Sequence, residues 1–516
     1  MKANLIIKNS IILYMKMFIQ VLIALYTTRV ILQLLGVDDF GIYSLISGAV
    51  AMFGFFRAGL ASSTIRFLAH SQGKNLIGEK IKIFNISILF HISLGFILFV
   101  VLELGLLFFF NEFLNINPER LETAKIISHF IILISCINIL IVPFDGILNS
   151  RENFLYLAVI DLSRSLAILV LAILLSYTGY DKLLFYSAGM LTIVIMVFSS
   201  YVIYCLKRYE ECEVNLRKHF DKEIMKSMLS FSSFELLGYS SGMISLYSTN
   251  LLINNFFGVA VNAAQGISNQ ISAQITSFSV TMMKAVRPAI VKSDGSQDFT
   301  FFENLTFNSG KYSFLILIFF ATPFLIETEY ILNFWLIEIP EWAIIFCRLQ
   351  LIKNIIDQFF TGFGTAIGAV GKIKSYVIVH TINNILILPS VYISFKLGYP
   401  PYSLYFVLIL YFSIFGFLIN LYFGKKIANL NVRYFLSKIV LPHSICYLLI
   451  LILCFALSTS LPESFVRLIL VCFVSTVFIG IMTYYFLTKS ETDVLETLIN
   501  RLLSYLNIKD KKNNLK

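Results

Sequence analysis

Nine basic residues fall inside stretches of sequence that are otherwise apolar: Lys16, Arg29, Arg57, Arg66, Arg164, Lys284, Arg287, Arg348 and Lys353. Five acids do the same, namely Glu103, Asp145, Asp161, Glu235 and Asp357. A charge among apolar neighbours needs a partner, a hydrated cavity or a route to a polar surface. The excess of cations suits an anionic ligand. Arginine fits phosphate oxygens in particular, because its planar fork donates two parallel N–H bonds. Asp161 and Arg164, three residues apart, share a helix face. They can form a structural ion pair, or a switch that opens when substrate or a coupling ion arrives. Lys353 and Asp357, four apart, admit the same two readings. Glu235 has no opposite charge within a helical turn, which suits a proton- or sodium-coupling site; the alternative is a hydrogen bond to a neighbouring helix. Asp145, between Pro143 and Gly146, is expected at a helix end or gate.

Other chemistries find little support. The seven cysteines are scattered without metal-ligand spacing, and cysteine in apolar runs behaves as a small hydrophobe. His91, His129 and His380 stand apart from any Cys or Asp cluster. The run TGFGTAIGAVG (361–371) lacks the Lys-Ser/Thr ending of a phosphate loop, which disfavours a nucleotide-driven pump.

The elements that must hold these charges are membrane helices. Apolar residues make up 58% of the 516 and charged residues only 14%, against about 25% in a soluble domain. Runs of about 20 apolar residues, enough to cross roughly 30 Å of hydrocarbon, recur from end to end. Fourteen candidate spans run from 10–34 to 466–488; the stretch 263–289, rich in Ser, Gln and Thr, is the least apolar. Counted over alternate loops, 26 Lys and Arg fall on the side of the N-terminus and five on the other. The bias places both termini in the cytoplasm and accounts for the net charge of +10 without a nucleic-acid partner. Lys2 and Lys8 precede a first span, not a cleaved signal peptide. The tail from Glu491 to Leu506 is expected to form an amphipathic helix at the membrane surface.

The chain repeats itself. YTTRVILQLLGV near residue 26 matches YSTNLLINNFFGV near 247. Tyr26 pairs with Tyr247, Gly36 with Gly258, Arg66 with Arg287 and Gly73 with Gly295, at offsets of 221 or 222. The period covers six spans, so the copies run in the same direction, as parallel repeats about an axis along the membrane normal. The expected architecture is an all-α polytopic membrane protein of about 14 helices: an N-terminal lobe (1–206), a C-terminal lobe (207–424), an appended pair of spans (425–488) and a cytoplasmic tail (489–516). If the lobes face each other through spans 2 and 8, their charges converge on one cavity. Arg29, Arg57 and Lys284 are expected to line it, while Arg66 and Arg287, near span ends, are expected to snorkel to lipid head groups.

Two stretches, LLGVDDFGIYSLISG (34–48) and NNFFGVAVNAAQGISNQISAQITSF (254–278) followed by RPAIVKS (287–293), resemble polysaccharide-biosynthesis flippases of the multidrug/oligosaccharidyl-lipid/polysaccharide exporter superfamily. The resemblance implies two lobes opening alternately to each side of a bacterial inner membrane. It also implies an undecaprenyl-diphosphate-linked oligosaccharide as cargo, such as an O-antigen or capsule unit, with membrane lipids and the polymerase and glycosyltransferases of the same pathway as partners. No cofactor is expected; a proton or sodium gradient would drive transport, with Glu235 or the Asp161/Arg164 pair as coupling or switch residues. Two other functions compete. A multidrug antiporter of the same superfamily would favour an acidic, aromatic cavity, against the surplus of cations here. A membrane polymerase or glycosyltransferase would need a larger charged outer loop than this chain has.

Overall fold

The computed structural model describes residues 2–51, 53–74, 76–112, 118–336, 339–487 and 491–492; some side chains within these helices, that of Arg29 among them, lie outside the description. Most of the tail read as an amphipathic helix (493–506) also lies outside the described residues.

Every regular element among the described residues is helical. In the first half these are α1 (Lys2–Ala51), α2 (Gly54–Gly73), α3 (Ile77–Glu112), α4 (Leu121–Leu140), α5 (Val142–Ser150), α6 (Phe154–Leu174) and α7 (Lys182–Arg208). In the second half they are α8 (Lys222–Phe257), α9 (Val259–Gly295), α10 (Phe299–Ile326), α11 (Thr328–Trp335), α12 (Ala343–Gln358), α13 (Thr361–Val370), α14 (Lys374–Lys396), α15 (Ser403–Leu408) and α16 (Gly416–Ala428). The chain ends with α17 (Val432–Phe435), α18 (Leu441–Ser460) and α19 (Phe465–Tyr485). Among the described residues, nine helical segments are long and apolar enough to cross a membrane.

The repeat seen in the sequence has a structural counterpart. Gly36 breaks α1 at φ 81°, ψ 168°, and Gly258 separates α8 from α9 at φ 84°, ψ −179°. This backbone conformation is nearly closed to residues with a β-carbon, so both copies turn from one span into the next on a glycine at the same place. A second shared feature is the break inside a span, between α4 and α5 at Ile141 and between α12 and α13 at Phe359–Phe360.

The helices of each half pack on one another around their own apolar cores, and the halves meet where α2 lies against α8 and α9 and where α1 lies against α9. Among the described residues, the contacts between halves concentrate near one end. Tyr14 Oη donates to the Phe278 carbonyl at 2.8 Å, a β-carbon at Gly59 would press on Leu236, and Phe67 meets Phe231 edge to face. The α8 and α9 helices have 36 and 37 residues, so each is about 54 Å long and ample to span. Their Ser, Thr, Asn and Gln content reflects their position: both pack against α2 of the other half instead of facing lipid on all sides.

The appended pair sits on α10. Buried Arg467 of α19 donates to buried Glu327, at the start of α11, at 2.7 Å. At the other end of α19, Lys311 of α10 donates to Glu491 at 2.8 Å, and Tyr312 Oη donates to the same carboxylate at 2.7 Å.

Candidate functional site

Arg57 stands on the first turn of α2 and Lys284 toward the closing end of α9; both side chains are exposed. They belong to different halves, yet both interact electrostatically with Asp145. That carboxylate is placed by the break before α5: Gly146, next in sequence, has no room for a β-carbon against Thr64 of α2, so α5 is pressed onto α2. Asp161 belongs to the same electrostatic group, and Tyr201 interacts with Asp145, Asp161 and Arg57. Of the three cations expected to line a cavity, Arg57 and Lys284 thus come from different halves and share Asp145 as an electrostatic neighbour. Arg29 belongs to α1, but its side chain lies outside the described residues.

The reading of Asp161 and Arg164 as a mutual pair is corrected. Asp161 pairs with Lys16 of α1, while Gln20 donates to the Asp161 carbonyl and to Ser165 Oγ, each at 3.2 Å. Arg164 instead interacts electrostatically with Tyr43. Three residues of spacing put the two charges on one helix face but did not reveal that α1 packs along α6 there. Lys16, counted among the intramembrane cations and given no role, is the residue missed. Lys353 and Asp357 do pair, at 2.7 Å. Ser413 donates to the other oxygen of Asp357 at 2.7 Å, and the Lys353 ammonium lies 4.6 Å from the centre of the Phe412 ring. Glu235 sits apart from the Asp145 group, within electrostatic range of Arg66 and Tyr376.

Arg66 and Arg287 do not reach for lipid head groups. Arg66 Nε donates to the carbonyls of Gly368 at 2.7 Å and Ala369 at 3.1 Å, so a guanidinium of one half caps the C-terminal end of α13 in the other. The Phe67 and Phe231 rings flank it at 4.8 and 4.9 Å. Arg287 donates to Ser62 Oγ at 2.6 Å, again across halves.

These bonds belong to a closure at one end of the gap. There α2 and α9 cross so closely that a β-carbon at Gly73 would collide with the Lys292 carbonyl oxygen, and one at Gly295 with the His70 carbonyl oxygen. His70 lies 3.4 Å from Asp294, and Lys292 donates to Glu152 at 2.6 Å. Gly73 and Gly295 were legible only as matched positions of a repeat; that they touch across the molecule was not. The halves are thus joined at this end, with Arg57 of one and Lys284 of the other farther along the same two helices.

Comparison with known proteins identifies the family and the fold. The family model described as polysaccharide biosynthesis protein matches residues 6–294, more than half of the chain, and the chain belongs to that family. Among solved structures it is similar to a MATE protein in a bent conformation (TM-score 0.73, 16% identity, covering 83% of this chain and 96% of that one). It is also similar to an outward-facing multidrug resistance MATE transporter of the MOP superfamily (TM-score 0.69, 16% identity, 82% and 96%). A third is a MOP superfamily transporter from Pyrococcus furiosus whose description reports a binding pocket of reversed polarity (TM-score 0.69, 17% identity, 82% and 96%). No curated protein matches. The protein is therefore a multi-pass membrane transporter of the polysaccharide biosynthesis family with the MATE-like fold.

Proposed function

We propose that this protein flips an undecaprenyl-diphosphate-linked oligosaccharide from the cytoplasmic to the periplasmic leaflet of a bacterial inner membrane, for lipopolysaccharide or capsule synthesis. Arg29, Arg57 and Lys284 hold the diphosphate and its first sugar between the lobes, while the lipid tail stays in the bilayer. The lobes rock about the gap, and a proton or sodium ion taken up at Glu235 or at the Lys16–Asp161 pair resets the cycle. Both termini are cytoplasmic in this reading, so the closure at Gly73 and Gly295 is the inner one. The observation that carries the proposal is the pair of exposed cations, Arg57 and Lys284, contributed by opposite lobes to one group around Asp145. A cationic site between lobes suits a diphosphate and repels the organic cations of multidrug exporters.

The test is a flipping assay in reconstituted vesicles, following protection of the lipid-linked glycan from an external glycan-cleaving enzyme. Wild-type protein is expected to protect it, and the Arg57→Ala/Lys284→Ala variant to do so at least about tenfold more slowly, the loss of two charge-assisted contacts. Equal rates in the two proteins, or expulsion of a cationic dye by a wild type that moves no lipid, would overturn the proposal.

A further inference from the structure

One face of α9 carries chemistry that the cation site leaves unused. Gln270, Gln274, Val280 and Lys284 are exposed and Ser277 half-buried, and at these spacings they fall on one face of the helix. Among the described residues neither glutamine amide bonds to another side chain, although both lie well inside α9 (Val259–Gly295), a helix long enough to cross a membrane. The neighbouring α8 behaves differently: its exposed residues include Leu229, Leu237, Ile244 and Leu251, which suit lipid. Hydrocarbon does not accept unpartnered amides, so the polar face of α9 is turned toward the hydrated gap.

The face is graded along its length. It is uncharged toward Gly258 and cationic at Lys284, with about 21 Å of helix axis between Gln270 and Lys284. A primary amide both donates and accepts hydrogen bonds, and two of them a turn apart match the hydroxyl and acetamido groups of a sugar chain. They offer nothing to a phosphate that Lys284 does not offer better.

Resting on the flippase reading above, we propose that Gln270 and Gln274, with Ser277, form a glycan-binding strip: the diphosphate is held at Lys284 and the oligosaccharide lies along α9 toward Gly258. The strip, not the cation site, then sets how much the sugar adds to binding.

The experiment measures binding of two probes to the full chain in nanodiscs: undecaprenyl diphosphate, and the same lipid carrying an N-acetylglucosamine-headed trisaccharide. Wild-type protein is expected to bind the glycosylated lipid at least tenfold more tightly than the bare one. Gln270→Leu/Gln274→Leu should bind the bare lipid as the wild type does and lose that tenfold gain, whereas Lys284→Ala should weaken both. If the double leucine variant keeps the gain, or the wild type shows none, the strip is overturned while bare-lipid binding leaves the flippase reading standing. If the leucine variant loses bare-lipid binding too, the amides serve the helix and not the glycan, and the strip is likewise overturned. If the wild type binds neither lipid, the flippase reading fails and the strip fails with it.

Discussion

Arg151 grips Glu211 with two hydrogen bonds, from Nε at 2.6 Å and from an Nη at 2.7 Å, and Glu211 is almost wholly buried. Both residues lie in connections between spans. Burial acts most strongly on the Glu211 carboxyl and pushes it up, but the Arg151 hydrogen bonds, a backbone N–H and the charges of Arg151 and Lys80 together outweigh it and hold it below the ordinary carboxylate range. A carboxyl depressed in the folded state contributes stability above its unfolded value, near 4.5, and loses it as pH falls through the lower folded value. Glu211→Gln is therefore expected to cost about 2 kcal/mol at pH 7, with the gap from wild type shrinking as the pH drops below about 4.5. Thermal unfolding in detergent at the two pH values checks both. None of this was legible in the sequence: Arg151 counted as one more loop cation, and the 60 residues separating it from Glu211 carry no periodic signal. The intramembrane charges were legible as a set because charge in an apolar run stands out. Their partners were not, since Lys16 and Asp161 meet only once α1 is packed on α6.

At the scale of elements, α2 and α9 divide their length between two tasks. Their closing ends carry the glycine crossing, and farther up they carry Arg57 and Lys284. A larger residue at the crossing must separate the helices, because the obstructing atoms are backbone and cannot turn aside. Gly73→Leu is expected to hold that end open. A cysteine at Ser71, which is fully buried, in a background without the native cysteines, should then react with a membrane-impermeant maleimide several-fold faster than in the Gly73 protein. Unchanged labelling would show that the crossing does not seal this end. The helices themselves were largely legible, since apolar runs of the right length mark spans. The Ser-, Gln- and Thr-rich stretch 263–289 looked least like a span for a physical reason: α9 packs on α1, α2, α8, α10, α12 and α13, and hydropathy measures contact with lipid.

For the whole molecule, the two buried ion pairs at opposite ends of α19 make the appended spans part of the second lobe. Lys311 is nearly inaccessible, and its counter-charge comes from Glu491, 180 residues away. Ending the chain at Leu487 would leave a buried ammonium with the Phe486 carbonyl at 3.3 Å but no counter-charge, at a cost of about 3 kcal/mol. Lys311→Met in the shortened chain should recover most of it, as read by the unfolding temperature of the purified protein; a shortened chain as stable as the full one would show that the tail does not serve this lysine. In sequence Lys311 counted among the loop cations and Glu491 opened a surface helix, so the contact that binds tail to lobe was hidden in two unrelated stretches. The repeat, by contrast, was legible in the sequence, and the paired glycine breaks at Gly36 and Gly258 are its counterpart in the fold. Its sharpest expression is the crossing, where Gly73 meets residue 292 and Gly295 meets residue 70, each glycine 222 positions from its counterpart. That is an isologous contact, the signature of a two-fold homodimer, retained within a single polypeptide. A half-length chain with one such glycine would make the same contact with a parallel copy of itself and suffer every substitution twice. Joined in one chain, the two positions can vary separately, so a substitution at Gly73 need not be matched by one at Gly295.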